Sequence, residues 1–226
     1  MKQIVILSGA GISAESGLKT FRDSNGLWEG HNVMEVASPE GWHKNQELVL
    51  DFYNQRRRQL KTVKPNTAHL ALVKLEEEYN VSIITQNVDD LHERAGSNSV
   101  IHLHGELLKA RSTADETLIL DWQDDICTGD LCVKKSQLRP HIVWFGEMVP
   151  MLDIAADLTS KADYIIVVGT SMQVYPAAGL VNYAKPDAKI YFIDPIPMIK
   201  ASKNLKVIAE KASVGIPTVV EELLNS

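Results

Sequence analysis

Gly9-Ala10-Gly11-Ile12-Ser13-Ala14 forms a G-x-G-x-x-A run directly after the apolar residues Ile4-Val5-Ile6-Leu7. A buried strand feeding a tight glycine turn and a helix N-terminus offers backbone N–H groups and a positive dipole end, which suits a pyrophosphate. Alanine is a permitted third position of this dinucleotide fingerprint, which alone is a weak signal. An ordinary dinucleotide unit would continue into a second strand ending in a ribose-binding acid. Here the chain enters Thr20-Phe21-Arg22-Asp23-Ser24-Asn25-Gly26-Leu27-Trp28 instead. That polar, glycine-broken stretch is suited to closing over a bound dinucleotide, or is simply a surface loop with buried aromatics.

Three further groupings could do chemistry. Gln86-Asn87-Val88-Asp89-Asp90-Leu91-His92 follows the strand Val81–Thr85, and polar residues just past a strand's carboxyl end sit where open α/β sheets keep ligands. Asn and Asp there could also cap a helix beginning near Val88, although four polar residues exceed what a cap needs. His102 and His104 lie at period two on one short strand, 100–106, and so share a face, and only one need be functional; His104, followed by Gly105 at a strand end, could accept a proton near neutral pH, although chemistry alone does not choose between them. Tyr53 and Arg56 stand three apart on a helix predicted over 46–60. A phenol and a guanidinium on one face can bind a carboxylate as a charge-assisted fork, whereas helix physics alone reads them as a half-buried core residue and a solvated basic end.

The elements that would position these residues alternate. Strands are expected at Ile4–Leu7, Val81–Thr85, Val100–Glu106, Arg139–Glu147, Asp163–Val168 and Lys189–Ile193. Helices are expected over Gln46–Leu60, after an Asn66 or Thr67 cap with Leu70, Val73 and Leu75 facing inward, over Val174–Ala184 and over Ile216–Leu224. The implied class is α/β, a Rossmann-like doubly wound parallel sheet. Gly169-Thr170-Ser171, closing a fully apolar strand, is a second small-residue turn suited to close ligand approach. The βα rhythm lapses between Leu107 and Leu138.

At 226 residues and 45% hydrophobic, the chain can bury a full core, and it shows neither internal repeats nor a linker. A net charge of −6 argues against nucleic acid and allows a basic protein partner. The N-terminal apolar run is too short for a signal peptide, and no stretch is long enough to span a membrane, so the expected location is cytoplasmic. Two cysteines, Cys127 and Cys132, make no disulfide framework.

The glycine turn with its Phe-Arg-Asp loop, then Gln86-Asn87-Val88-Asp89, His104-Gly105, Trp144-Phe145-Gly146-Glu147 and Gly169-Thr170-Ser171, arrive in the order and spacing of the sirtuins. The chain resembles most the bacterial deacetylase and desuccinylase type, whose Tyr-x-x-Arg acyl-pocket motif is matched by Tyr53-Asn54-Gln55-Arg56. The resemblance implies an NAD-dependent protein-lysine deacylase, in which the acyl oxygen attacks the ribose carbon as nicotinamide leaves, forming an alkylimidate. His104 is implied as general base, and Asn87 as the residue orienting ribose and water. Gly9, Ala10, Gly11, Ile12, Trp28, Gln86, Gly169, Thr170 and Ala212 are implied around NAD. Asp89 would hold the nicotinamide carboxamide, Phe21 shield the ribose face, Arg22 meet the phosphates, and Ser171 and Asp194 reach the adenosine side; Asn is common in the family where Asp194 stands. An acylated peptide would add as a strand between Val143-Trp144-Phe145-Gly146-Glu147 and the loop carrying Val174, with Tyr53 and Arg56 receiving acidic acyl groups.

The same resemblance implies one catalytic domain over 1–226, with a helical insertion at 31–64 and a small module at 107–139. In most sirtuins that module holds zinc through two cysteine pairs. Here Arg111-Ser112-Thr113 stands where a first-pair cysteine belongs, so zinc is not expected and the module is expected to hold through its own packing. A monomer is expected. Mono-ADP-ribosyltransferase or NAD hydrolase activity is the alternative, disfavoured by Tyr53, Arg56 and the peptide-strand motifs. A non-enzymatic NAD sensor would need no intact His104 and Asn87.

Overall fold

The computed structural model describes residues 1–19, 27–28, 30–171, 175 and 177–225, with the backbone alone at Leu27. In chain order, β1 (Gln3–Ser8) is followed by a small hairpin, β2 (Leu27–Trp28) and β3 (His31–Asn32), then by helices α1 (Val33–Val36), α2 (Pro39–Lys44), α3 (Gln46–Leu60) and α4 (Thr67–Val73). Next come β4 (Asn80–Thr85), α5 (Leu91–Ala95), β5 (Val100–His102), β6 (Gly105–Ser112), β7 (Ile119–Asp121) and β8 (Leu138–Ile142). The chain finishes with α6 (Leu152–Lys161), β9 (Tyr164–Val168), β10 (Lys189–Ile193), β11 (Leu205–Ile208) and α7 (Ala212–Leu224).

Six strands form one parallel sheet in the order β11-β10-β9-β1-β4-β5. The sheet is covered on both faces, which is why its central strands read as unbroken apolar runs. Side chains alternate across it. Ile4 and Ile6 join Leu72, Leu75, Ile216 and Val220 beneath α4 and α7. Val5 and Leu7 join Ile165, Val167 and Phe192 beneath α6 and a 3-10 helix at Ala177–Tyr183. Among the described residues no helix is long and apolar enough to cross a membrane.

A third core lies outside the sheet. Val49, Phe52 and Tyr53 of α3 pack with Leu107, Ala110, Leu138 and Trp144 from the small antiparallel sheet β7-β6-β8 and the segment after it. The module at 107–139 therefore does not hold by its own packing alone. Asn54 donates to the Ile126 carbonyl and accepts the Ile126 N–H, both at 2.9 Å, and Arg57 Nε donates to the Leu107 carbonyl at 3.0 Å. The helical segment and the module share one apolar interior.

Several local expectations change in three dimensions. The glycine turn leads not into a helix but into two single 3-10 turns, Ala10–Ile12 and Ala14–Ser16. A neighbouring helix takes up the Ile12 carbonyl that a continuing helix would have bonded: the Asn66 side chain donates to it and to Ser16 Oγ, while the Glu15 carboxylate accepts from the N–H and hydroxyl of Ser213 near the start of α7. Gly17, at φ +101°, then turns the chain away. Asn66 is the cap of α4, and the buried face of that helix is Ala68, His69, Ala71 and Leu72, with Leu75 beyond; Leu70 is half exposed. The 100–106 stretch is two strands, β5 in the parallel sheet and β6 in the small one, broken at Leu103-His104. β8 likewise ends at Ile142 and pairs antiparallel with β6 rather than joining the parallel sheet. Of the predicted 174–184 helix, Val174 lies outside the described residues.

Candidate functional site

Strand register gathers the chemistry at one edge. His102, Thr85, Ser8, Val168, Ile193 and Ile208 are partners in a single row across the parallel sheet. Immediately past that row come His104, Gln86-Asn87, Gly9-Ala10-Gly11, Gly169-Thr170-Ser171 and Asp194, each leaving the carboxyl end of its strand. Strands β4 and β9 flank β1 on opposite sides, so the crevice opens at the switch point where α/β sheets bind ligands.

The two glycine turns interlock. Gly9 N–H donates to the Val168 carbonyl at 3.0 Å and Gly11 N–H to the Gly169 carbonyl at 2.8 Å. A Cβ on Gly11 would lie 2.6 Å from Gly169 Cα, and one on Gly169 would lie 2.3 Å from the Ile12 nitrogen. Ile12 and Ser13 N–H groups bond back to Gly9 and Ala10 carbonyls. The expected row of free amides is thus mostly consumed by turn packing, which leaves few for an anion, the Ala10 N–H among them. Phe21 and Arg22 lie outside the described residues. Trp28 packs edge-on to Phe52 and Tyr53, on the wall that also carries Arg56.

Deeper in the crevice, Asn87 Nδ2 donates to Ser13 Oγ at 3.1 Å, and Ser13 Oγ donates to Asp89 Oδ2 at 3.0 Å. Asp89 Oδ1 accepts the Leu91 N–H at 3.2 Å. Burial pushes the Asp89 carboxyl up to about 6, against the lowering effect of these bonds. The relay has one direction: a carboxylate only accepts, so it takes the serine proton, the serine accepts from the amide nitrogen, and the Asn87 amide oxygen is turned elsewhere. Ser13 was not singled out in the sequence, where only its place two residues past Gly11 marked it. Gln86 Nε2 donates to Thr170 Oγ1 at 3.2 Å, tying the β4 and β9 exits together. Asp194 is buried and accepts the Ile196 N–H at 2.9 Å; Ala212 is buried as the first residue of α7.

His104 Nδ1 lies 3.0 Å from the Gln86 carbonyl. A carbonyl only accepts, so the proton sits on Nδ1 and Nε2 carries the lone pair. Burial lowers this imidazole below its ordinary value, the Gln86 bond partly opposing. Among the described residues Nε2 has no hydrogen-bond partner. The ring is a base aimed by its backbone bond.

On the other wall, Tyr53 is fully buried, and its hydroxyl accepts Trp144 Nε1–H at 3.1 Å. Burial raises the Tyr53 phenol well above its ordinary value, so it stays a neutral donor. The Arg56 guanidinium stacks 3.3 Å above the Phe52 ring, faces Trp28 and donates to the Phe52 carbonyl. The Glu147 carboxylate turns inward, where Arg111 and Arg139 grip both its oxygens at 2.7–3.2 Å and it accepts the Trp144 N–H at 2.8 Å. Val143 and Phe145 N–H groups are also taken, by the His104 and Ala37 carbonyls. The Gly146 N–H and Val143 carbonyl remain without partners among the described residues.

The cysteine module does not fit a tetrahedral metal. Cys127 is exposed, Cys132 Sγ bonds Ser112 Oγ at 3.2 Å, and Thr113 Oγ1 bonds Ser136 Oγ. Among the described residues no three His, Cys, Asp or Glu side chains gather as metal ligands.

Residues 9–176 match the Sir2 family. The chain is similar over its whole length to the NAD-dependent protein deacylase of Helicobacter pylori, at 59% identity over 226 residues and 99% of that protein. It is similar to the NAD-dependent protein deacylase of Bacteroides thetaiotaomicron at 46% identity over 231 residues, covering 99% of each chain. Among solved structures, a Sir2 homologue bound to NAD superposes with a TM-score of 0.89 at 40% identity, covering 99% of this chain and 90% of the other. A Sir2–p53 peptide–NAD+ complex superposes with a TM-score of 0.82 at 32% identity, covering 99% and 94%. With an α/β sheet whose strand exits converge on His104, Asn87 and Asp89, and with relatives of this identity along its full length, the chain belongs to the Sir2 family.

Proposed function

We propose that residues 1–226 form one catalytic domain that removes acetyl and acidic acyl groups, succinyl or malonyl, from protein lysines with NAD, releasing nicotinamide, O-acyl-ADP-ribose and free lysine. The observation that carries this is the His104 tautomer beside the Asp89–Ser13–Asn87 relay at the sheet's switch point. NAD, when bound, supplies an electrophilic ribose carbon from which nicotinamide departs. His104 Nε2 accepts the ribose hydroxyl proton, and its lowered basicity keeps the ring neutral and ready near pH 7. Asp89 accepts from the nicotinamide carboxamide while its hold on Ser13 keeps the Asn87 amide oxygen toward ribose and water. The Ala10 N–H meets a phosphate with Arg22, Phe21 shields the ribose, and Thr170, Ser171, Asp194 and Ala212 line the adenosine side.

An acylated peptide pairs through the Gly146 N–H and Val143 carbonyl and through the Val174 loop, which makes backbone contacts dominate and sequence selectivity loose. The acyl chain enters between Trp28, Tyr53 and Arg56, where a buried phenol and a stacked guanidinium offer two donors to a terminal carboxylate. A monomeric cytoplasmic enzyme fits the composition. The test is mass spectrometry of acetyl-lysine and succinyl-lysine peptides with and without NAD. NAD-dependent appearance of free lysine and O-acyl-ADP-ribose, lost in His104→Ala, supports the reading. NAD consumption with both peptides intact would instead indicate hydrolase or transferase activity. An unchanged ratio of desuccinylation to deacetylation in Arg56→Met would remove the acyl-carboxylate assignment.

A further inference from the structure

His102, two residues before the base, has both ring nitrogens committed. Nδ1 lies 2.9 Å from the Asn87 carbonyl and Nε2 lies 2.7 Å from Glu93 Oε1 on α5. A carbonyl and a carboxylate both accept, so both nitrogens donate and the ring is an imidazolium. The His102 side chain is 7% exposed and that of Glu93 39%. His102 and His104 thus hold the consecutive carbonyls of Asn87 and Gln86, one as a charged clamp and the other as a neutral base with a lone pair to use.

The charged surroundings favour that division. Burial opposes the charge on His102, but the Glu93 bond and charge outweigh it, with Glu106 of β6 adding to them. Lys109 of β6 is paired with Glu106 and also acts on Glu93. The positive ring in turn steadies the ionised form of Asp89 and opposes charge on His92 of α5. His104 has no carboxylate on its ring, and its basicity falls rather than rises.

We propose that His102 is a positioning residue: clamped as a cation between Glu93 and the Asn87 carbonyl, it fixes the turn that presents Asn87 and Asp89 to NAD. This rests on the deacylase reading for the identity of the ligand. Losing the clamp costs NAD capture before it costs the proton step at His104.

The test uses the full chain with Glu93→Gln and His102→Gln. Correlation spectra of the imidazole nitrogens, recorded without NAD or peptide, should show both His102 nitrogens protonated at pH 7.5 in the parent and a titrating, neutral ring in Glu93→Gln. The KM for NAD should rise about tenfold in Glu93→Gln at pH 8, the scale of one charge-assisted bond, with kcat little changed. His102→Gln should lose NAD affinity at every pH. A neutral His102 in the parent, or an unchanged KM in both variants, would overturn the proposal. Should the parent show no NAD-dependent deacylation, the deacylase reading fails by itself, and the spectra together with calorimetric NAD binding still decide the clamp.

Discussion

Asp89 illustrates a site residue kept at the expense of stability. Its carboxyl has an ordinary value of 3.8 and rises to about 6 in the folded chain, because burial disfavours the charge. A carboxylate whose folded value is raised holds its proton more tightly in the native state, so the native state loses ground as pH climbs above 3.8 and the full loss is present above about 6. Two pH units correspond to about 3 kcal/mol at pH 7. Asp89→Asn cannot ionise, keeps an oxygen for the Leu91 N–H and offers an N–H to Ser13, but leaves the serine proton without its acceptor, a loss of about 1 kcal/mol. The variant should therefore be more stable than the parent by about 2 kcal/mol at pH 7, a Tm rise of about 4–8 °C for a chain of this size. The advantage should vanish between about pH 4 and 5 and reverse below it, because the parent is then neutral too. Denaturant unfolding at pH 7 and pH 4 measures this, with NAD-dependent turnover falling at both. A variant no more stable than the parent at pH 7 would refute the burial argument.

Gly169→Ala places a Cβ 2.3 Å from the Ile12 nitrogen at φ +63° and should cost about 2–5 kcal/mol, with loss of NAD binding. Gly129→Ala, at φ +99° with open space around it, should cost about 1–2 kcal/mol; equal losses in denaturant unfolding would deny the interlocked turns. Burial lowers His69 from 6.5 to about 4, and the ring's Nε2 has no partner among the described residues, so its contribution is complete above pH 6.5 and declines as pH falls to about 4, by about 3 kcal/mol. His69→Gln keeps a reciprocal N-terminal cap without a titrating ring, and its unfolding midpoint should fall less steeply over that interval. Chelator treatment should leave Tm unchanged, and near-stoichiometric zinc by metal analysis, with a Tm that falls on its removal, would contradict the reading of Cys127 and Cys132.

The sequence by itself determined the parallel sheet, because strands buried on both faces must be apolar throughout and Ile4–Leu7 and Ile165–Val168 are; it also marked Gln46–Leu60 as a helix, and Asn66 as one of two candidate caps, by period and side-chain type alone. It placed Gly9, Gln86, Asn87, His104 and Gly169 next to strand ends. Only the tertiary structure decided what those groups do, since their partners are 15 to 159 residues away and hydrogen-bond direction has no sequence period. Asn87 meets Ser13 across 74 residues, and His102 and His104 part into clamp and base because one ring lies against Glu93 and the other does not. The glycine turn keeps its shape through Gly169, far along the chain, so most of its amides are spent on packing. Glu147 stood in the sequence within a strand expected to pair with a peptide through its backbone, and only the fold shows where its side chain goes: Arg111 and Arg139 converge on it from β6 and β8 and turn its charge inward. Period and composition report which face of an element is buried; the identity of the groups waiting there is set by the fold.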